Sequence, residues 1–269
     1  MKLLRTAAEV RSALAEDRAA GRSIGLVPTM GAFHGGHLAL IAASTARDDV
    51  TVVSLFVNPA QFGPAEDLAR YPRDEAGDAA AAEAAGVGIL FVPSADEIYP
   101  PGFDTWVDPG ELASVLEGAV RPGHFRGVAT VCTKLFDIFH PARAYFGRKD
   151  AQQVAVIKQV VRDLALPLEI VAWPTVRDPD GLALSSRNAF LSPEDRARAL
   201  ALPRALQAGL HAHRAGGDPV ATAEEVLAAE PGLSVDYVAV ADLDGATLAS
   251  GVRVGNTRLI DNVRLEDAQ

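Results

Sequence analysis

The sequence predicts an α/β protein in which a doubly wound parallel sheet is followed by a smaller α+β domain. Short apolar runs alternate with amphipathic or alanine-rich segments as far as residue 172, as strands alternate with helices in such sheets. Residues 50–57 form one apolar run rich in β-branched side chains, typical of a strand buried on both faces. Beyond Pro174 turn residues become frequent and the apolar runs shorten. We therefore expect domains at residues 1–176 and 177–269.

The elements of the first domain follow from its apolar pattern. Thr6-Ala7-Ala8-Glu9 matches a capping box that opens the first helix. Strands are expected at residues 24–27, 50–57, 87–92, 142–146 and 168–172. Helices are expected at residues 36–46, 74–85, 125–139 and 150–164, and a further helix is expected to be broken at Tyr71-Pro72.

The second domain begins with a turn or linker, Asp178-Pro179-Asp180-Gly181. Ser192 is expected to cap a helix that runs to about Arg214, with Pro193 in its first turn. A second helix is expected at residues 219–229. Short strands are expected at residues 235–240, 247–248 and 258–261, joined by hairpin turns at Asp244-Gly245 and Gly255-Asn256.

Composition excludes several classes of protein. The formal charge of −10 argues against nonspecific binding to nucleic acid or an anionic membrane, so any anionic ligand needs a local cluster of cations and donors. Cys132 is the single cysteine, which rules out an intrachain disulfide and a cysteine-based metal site and fits the cytoplasm. No apolar run is long enough to cross a bilayer, and charges interrupt those of residues 1–20, which argues against a signal peptide.

The glycine-rich stretch that ends with His34-Gly35-Gly36-His37 lies between a predicted strand and a predicted helix. Such a turn leaves backbone N–H groups at the positive end of the helix dipole, where an anion can bind. The two histidines can handle phosphate, can belong to a metal site, or can have no ligand role. No third histidine or cysteine lies nearby in the sequence, which disfavours metal.

Two amides, Asn58 and Gln61, follow the next strand and can hold hydroxyl or carboxylate groups; the alternative is a plain turn with an Asx cap. Ligands of doubly wound sheets bind at the carboxyl ends of the strands. We therefore expect residues 28–37, 58–62 and 147–150 on one rim.

Three further clusters offer groups that bind anions. Arg121, His124 and Arg126 lie in one Pro/Gly-rich loop, which is either an anion site or a solvated loop. Lys149 precedes a helix, where a cation is unfavourable unless a phosphate compensates it, and Asp150 is a candidate N-cap. Ser185-Ser186-Arg187-Asn188 offers hydroxyls, a guanidinium and an amide to phosphate oxygens.

Residues 28–37 resemble the His-x-Gly-His motif of the nucleotidylyltransferase superfamily, which class I aminoacyl-tRNA synthetases share. Four other segments resemble the pantothenate synthetase (pantoate–β-alanine ligase) family, and the resemblance extends in the same order from about Met1 to Asn262. These segments are Phe56-Val57-Asn58-Pro59-Ala60-Gln61-Phe62, Arg121-Pro122-Gly123-His124-Phe125, Tyr145-Phe146-Gly147-Arg148-Lys149-Asp150-Ala151-Gln152-Gln153 and Ser185-Ser186-Arg187-Asn188.

The resemblance implies a Rossmann-like first domain, a homodimer and a two-step ligation, and the turn at residues 178–181 leads to the hypothesis that the second domain is a lid. Pantoate first attacks the α-phosphate of ATP to give pantoyl adenylate and pyrophosphate, and β-alanine then displaces AMP. Two other functions remain open, a nucleotidyl transferase for a phosphorylated substrate and a nucleotide sensor without turnover.

The resemblance also implies site residues. His37, His34, Lys149 and Arg187 are the catalytic candidates, with His37 as proton donor. The expected ATP site consists of Met30, Gly31, Ala32, Phe33, His34, Gly35, Gly36, His37, Gly147, Arg148, Lys149, Asp150, Val176, Leu184, Ser185, Ser186 and Arg187. Pantoate is expected at Gln61, Gln153 and Arg121, and β-alanine at Gln61.

Magnesium is expected with ATP, and Asp78 matches one acidic position of the family's magnesium region. Four residues depart from the family pattern: Gly35, Gly77, Arg148 and Leu184. None of these departures removes a catalytic group, but Gly77 stands where the family has the acidic neighbour of Asp78.

Overall fold

A computed structural model describes residues 1–63 and 68–266. The chain divides into two compact units: Met1–Gly147 with Val156–Trp173, and Arg148–Ala155 with Pro174–Gln269. The predicted domains, residues 1–176 and 177–269, differ from these units in two places and stay a prediction, as does the lid role of the second domain.

Six parallel strands form the sheet of the first unit, in the order β1-β4-β3-β2-β5-β6. The strands are β1 (Lys2–Leu4), β2 (Ile24–Thr29), β3 (Val50–Leu55), β4 (Ile89–Phe91), β5 (Arg143–Gly147) and β6 (Glu169–Trp173). From β2 the chain continues to β3 on one side, and β5 lies on the other. The sheet therefore has its topological switch point between the carboxyl ends of β2 and β5, which confirms the doubly wound prediction.

Helices flank this sheet, and four of them start within one residue of the predicted positions 36, 74, 125 and 150. They are α1 (Ala7–Ala13), α2 (Ala15–Ala19), α3 (Gly35–Arg47), α4 (Glu75–Ala84), α5 (Ala95–Ile98), α6 (Glu117–Val120), α7 (His124–Phe139) and α8 (Ala151–Asp163). Thr6 and Glu9 form the predicted capping box of α1. Leu68–Arg70 is a short 3-10 turn, and the rest of the helix expected before Tyr71 falls partly outside the described residues.

The second unit packs helices on a three-stranded antiparallel sheet. Its elements are α9 (Pro193–Ala199), α10 (Ala201–Arg214), α11 (Pro219–Ala228), β7 (Leu233–Asp242), β8 (Ala246–Val254) and β9 (Thr257–Arg264). Ser192 caps α9 as predicted, but Leu200 separates two helices where one was expected. Leu202, Leu206 and Leu248 are among the buried residues of this unit's core.

The turn at Asp178–Gly181 is not a linker, because it lies inside the second unit. The Gly181 N–H donates to the carbonyl of Asp178 at 2.9 Å. Arg196 binds the carboxylates of Asp178 and Asp180 at 2.7 and 2.8 Å. A turn tied in this way is a poor hinge.

Across residues 1–63 and 68–266, every helix is too short or too polar to span a membrane.

Candidate active site

The loop after β2 adopts a conformation that few sequences allow. Gly31 and Ala32 both have positive φ angles, +88° and +53°. The Gly31 N–H donates to the hydroxyl of Thr29 at 3.3 Å, and that hydroxyl donates to the carbonyl of Ser54 at 2.8 Å. A Cβ added to Gly31 would lie 2.8 Å from Oδ2 of Asp78. Glycine is therefore needed at position 31 for both its backbone and its lack of a side chain.

Asp78 on α4 supports the backbone of this loop. Its Oδ2 accepts a hydrogen bond from the Ala32 N–H at 2.8 Å, and its Oδ1 accepts one from the Phe33 N–H at 2.7 Å. The residue is 4% exposed. Successive backbone N–H groups in this conformation form a concavity that binds anions. Here the anion is a carboxylate of the protein itself.

The two histidines cap the start of α3 reciprocally. Nδ1 of His34 accepts from the Gly36 N–H at 3.1 Å, and Nδ1 of His37 accepts from the His34 N–H at 3.4 Å. The ring centroids lie 4.1 Å apart. Because Nδ1 accepts in both rings, the hydrogen of each neutral imidazole is on Nε2. Each histidine is thus fixed as an Nε2–H donor.

Side chains of the protein occupy part of the backbone anion site expected at this turn, and the expected site itself stays a prediction. The N–H groups of five residues donate to side chains of the protein: Gly31, Ala32, Phe33, His34 and Gly36. The imidazole Nε2–H groups add two candidate donors to those of the backbone. Those rings sit at the carboxyl end of β2, on the rim that the topology predicted.

Asp78→Asn should destabilise the protein by about 1.5–3 kcal/mol, because an amide offers one oxygen to two backbone donors and turns its NH2 toward the other. Urea unfolding measures this loss. Asp74→Asn is the matched control, since exposed Asp74 caps the same helix through the Gly77 N–H and asparagine caps equally well. Equal stability of the two variants would contradict the role given to Asp78.

The amides of Asn58 and Gln61 lie beside this loop and form one network. Nδ2 of Asn58 donates to Oε1 of Gln61 at 2.9 Å and to the carbonyl of Gly127 at 3.2 Å. Nε2 of Gln61 lies 3.2 Å from the sulfur of Met30, which joins the network to the histidine loop. Asn58 is 1% exposed and Gln61 8%. The Asx cap is also present, since Oδ1 of Asn58 accepts from the Ala60 N–H.

The three basic groups expected in one loop do not converge on one point, and two of them, His124 and Arg126, lie in the first turn of α7. Nδ1 of His124 and the guanidinium of Arg121 both bind the carbonyl of Gln61, at 2.9 and 3.3 Å. Arg126 instead stacks on Trp106, 4.7 Å from the ring centroid. Arg121 and His124 thus fix the backbone of Gln61, a role that the sequence did not suggest.

In the second unit, Arg148–Asp150 forms a 3-10 turn that leads into α8. Lys149 Nζ lies 3.3 Å from Oδ1 of Asp150, and Arg148 pairs with Asp244 at 3.0 Å. The amide of Asn262 donates to the carbonyls of Arg148 and Lys149, at 2.8 and 2.9 Å. These hydrogen bonds fix the backbone at Arg148 and Lys149. The ammonium group of Lys149, by contrast, contacts a carboxylate whose side chain is 43% exposed, that of Asp150.

The segment that leads to the serine pair is also anchored on β9. Asp261, 2% exposed, binds Arg177 in a bidentate pair at 2.6 and 2.9 Å. The Leu184 N–H donates to the carbonyl of Val176 at 2.9 Å. Ser185 caps the 3-10 helix Ser186–Phe190 by accepting from the Arg187 N–H.

The anchors Asp261 and Asn262 were missed as site residues from sequence. Asp and Asn are depleted in strands, so an adjacent pair at the end of a predicted strand was the available signal.

Gln153, which was predicted to bind pantoate, lies on α8 and is half-buried.

The structure thus divides the predicted site residues between the two units. The first unit contains residues 30–37, Gln61, Asp78, Arg121 and Gly147, and the second contains residues 148–150, Gln153, Val176 and residues 184–187. Within residues 1–63 and 68–266, no three histidine, cysteine, aspartate or glutamate side chains are grouped to hold a metal ion.

A protein-family model described as pantoate-beta-alanine ligase matches residues 2–264. The chain belongs to the pantoate–β-alanine ligase family. The resemblance predicted from its motifs is confirmed.

Curated members of this ligase family are similar along nearly their whole length. Pantothenate synthetase of Moorella thermoacetica is 52% identical over 280 residues, covering 99% of both chains. Pantothenate synthetase 1 of Bradyrhizobium diazoefficiens is 54% identical over 279 residues, covering 98% of both.

Solved structures of the family share the fold. A crystal structure of pantothenate synthetase from Thermus thermophilus matches with a TM-score of 0.93 and 46% identity, over 99% of this chain and 100% of that one. The pantoate-beta-alanine ligase of Francisella tularensis, in complex with beta-gamma ATP and beta-alanine, matches with a TM-score of 0.86 and 34% identity, over 100% and 99%. The predicted fold, a Rossmann-like sheet with a smaller C-terminal sheet, is confirmed.

Proposed function

We propose that the protein joins pantoate to β-alanine and consumes ATP, through a pantoyl-adenylate intermediate. The observation that supports this most directly is the histidine loop, where His34 and His37 are both held as Nε2–H donors next to the amide of Gln61. Donors for phosphate and a neutral group for a small polar acid then lie at the carboxyl ends of the neighbouring strands β2 and β3, joined by the contact of Gln61 with Met30. The family membership supplies the substrates.

In the first step a carboxylate oxygen of pantoate forms a bond to the α-phosphorus, and the bond to pyrophosphate breaks. Negative charge shifts onto the α-phosphoryl oxygens and the leaving pyrophosphate, so preorganised donors contribute most of the catalysis. His34, His37, Lys149 and Arg187 are the groups proposed to meet this charge, with His37 as proton donor. Because their Nδ1 atoms are already hydrogen-bonded, the two imidazoles need little reorientation when the transition state forms.

In the second step the amine of β-alanine attacks the acyl carbon. An amide bond forms, AMP leaves with the electron pair of the acyl–oxygen bond, and the amine loses a proton. Gln61 is proposed to contact both pantoate and β-alanine, and Gln153 and Arg121 to contact pantoate. The remaining ATP contacts are proposed for the residues that match the family motifs: Met30, Gly31, Ala32, Phe33, Gly35, Gly36, Gly147, Arg148, Asp150, Val176, Leu184, Ser185 and Ser186.

Magnesium is proposed to enter with the nucleotide rather than to occupy a protein cage. Both oxygens of Asp78 already accept backbone hydrogen bonds, and the described residues offer no carboxylate cluster around it. Mg²⁺ retains several waters and takes most other ligands from phosphates, and when bound it neutralises phosphate charge. Asp78 thus supports the loop, and its expected contact with Mg²⁺ stays a prediction.

We also propose a homodimer in the cytoplasm. The family resemblance supports the dimer, which sedimentation at several protein concentrations tests. Cys132 is buried, and burial raises the pKa of its thiol to about 12, which disfavours the reactive thiolate.

Gln153→Ala should raise the KM for pantoate about tenfold and leave the KM for ATP unchanged, since an amide donating to a carboxylate is a charge-assisted contact. Steady-state kinetics measure both constants. Gln159→Ala is the control on the same helix, because the Gln159 amide donates to the carbonyl of Pro109. A change in the ATP constant alone would show that Gln153 belongs to the nucleotide site.

Product analysis tests the proposed reaction as a whole. With ATP, pantoate and β-alanine, the purified protein should form pantothenate, AMP and pyrophosphate in equal amounts. Formation of ADP and phosphate instead would indicate an acyl-phosphate intermediate and would refute the proposal.

A further inference from the structure

Tyr99, which follows α5, donates its hydroxyl to Oδ1 of Asn58 at 2.8 Å. Three aromatic rings fix the ring of Tyr99: those of Phe103, Trp106 and Phe56, at centroid distances of 5.0, 6.1 and 6.4 Å. Arg126 on α7 covers Trp106, as described above. The position of this hydroxyl is therefore set by packing, not by an exposed, mobile side chain.

The orientation of the Asn58 amide is unambiguous. The Ala60 N–H can only donate, so the atom it contacts is the oxygen; the Gly127 carbonyl can only accept, so its partner is the nitrogen. With Tyr99 and Gln61 included, Oδ1 accepts two hydrogen bonds and Nδ2 donates two. This amide has no remaining hydrogen-bonding capacity, and it is buried.

The Asn58 amide, whose hydrogen-bonding capacity is fully used, in turn sets the orientation of the Gln61 amide. Because Nδ2 of Asn58 is a donor, Gln61 offers it Oε1 at 2.9 Å. The NH2 group of Gln61 then faces the other way, toward the sulfur of Met30 at 3.2 Å. A thioether is a weak acceptor, so a carboxylate or hydroxyl oxygen of a substrate would replace it favourably.

We propose that Tyr99 is a positioning residue which, through Asn58, keeps the NH2 group of Gln61 directed at an acceptor oxygen of the acid substrate. The inference rests on the proposed function, which places the acid at Gln61. In this role Tyr99 acts through Asn58 and not by contact with the substrate. Without its hydroxyl, Oδ1 of Asn58 keeps only the longer bond from the Ala60 N–H, at 3.3 Å, so the buried amide pair is held less firmly in the orientation that the backbone contacts favour.

Tyr99→Phe tests this directly in the full-length chain. We expect the KM for pantoate to rise about three- to tenfold, with kcat and the KM for ATP unchanged. In a Gln61→Ala background the same substitution should change the pantoate KM less than about twofold, because the effect acts through Gln61. Tyr145→Phe is the matched control: it removes a tyrosine hydroxyl bonded to Asp48 and should lower stability without changing either KM.

Asn58→Asp is a second variant that does not depend on the Tyr99 ring. It places an oxygen opposite Oε1 of Gln61, so Gln61 should reverse its amide and the pantoate KM should rise more than in Tyr99→Phe. A pantoate KM within about twofold of wild type in Tyr99→Phe, or equal increases with and without Gln61, overturns the inference. If the wild-type chain makes no pantothenate, the proposed function fails and this inference fails with it.

Discussion

Replacing His37 with alanine should slow formation of the acyl adenylate by about 10²–10³-fold, the usual loss when one preorganised donor to a developing negative charge is removed. The structure gives the reason, since Nδ1 of His37 is engaged by the His34 N–H and only Nε2–H can serve the phosphate. Rapid-quench measurement of pantoyl-adenylate formation in a single turnover isolates this step from product release.

Two further substitutions distinguish the helix-capping role of His37 from its role as a donor to the phosphate. Asparagine at position 37 places an acceptor where Nδ1 lies and no donor at Nε2, so His37→Asn should restore the cap and remain as slow as His37→Ala. Glutamine reaches the Nε2 position with an NH2 group, so His37→Gln should recover part of the rate. Near-normal adenylate formation in His37→Asn would show that the ring acts only as a helix cap.

Lys149→Ala should reduce adenylate formation by a similar factor, about 10²–10³-fold. The backbone at Lys149 is clamped by Asn262, and its ammonium group lies beside the exposed carboxylate of Asp150 at the start of α8. A cation at that end of a helix is unfavourable unless an anion compensates it, and ATP phosphates would do so. The rate of adenylate formation at saturating ATP measures the effect.

Lys2→Ala removes the same charge from the exposed strand β1 and should leave the rate unchanged. Lys149→Arg should recover activity only in part, because a guanidinium is larger and planar. If Lys149→Ala and Lys2→Ala form the adenylate at equal rates, Lys149 has no role in this step.

Much of the fold follows from local pattern. The apolar run at residues 50–57 predicted the buried strand β3, and Thr6 and Ser192 predicted two helix starts. β1 was missed because a three-residue strand at a chain end has no periodicity; it is defined by its pairing with β4. The strands of the second unit are longer than expected: the partly exposed residues of β7 hide its alternation, whereas β8 is buried along almost its whole length and so has little alternation to detect.

The site was predictable as a set of residues and not as a network. The histidines and amides were visible as unusual groups after strands. The partners that orient them are remote in the sequence, as when Asp78 supports Ala32 and Phe33 and when Tyr99 reaches Asn58. A buried carboxylate and a half-buried tyrosine have many structural roles, so nothing local distinguishes these two.

Exchange of pyrophosphate into ATP tests the central claim, a pantoyl-adenylate formed before β-alanine reacts. With labelled pyrophosphate and the purified chain, exchange should require pantoate and should proceed without β-alanine. Exchange that ignores pantoate, or that a phosphate ester supports in its place, would contradict the proposed reaction and favour a nucleotidyl transferase.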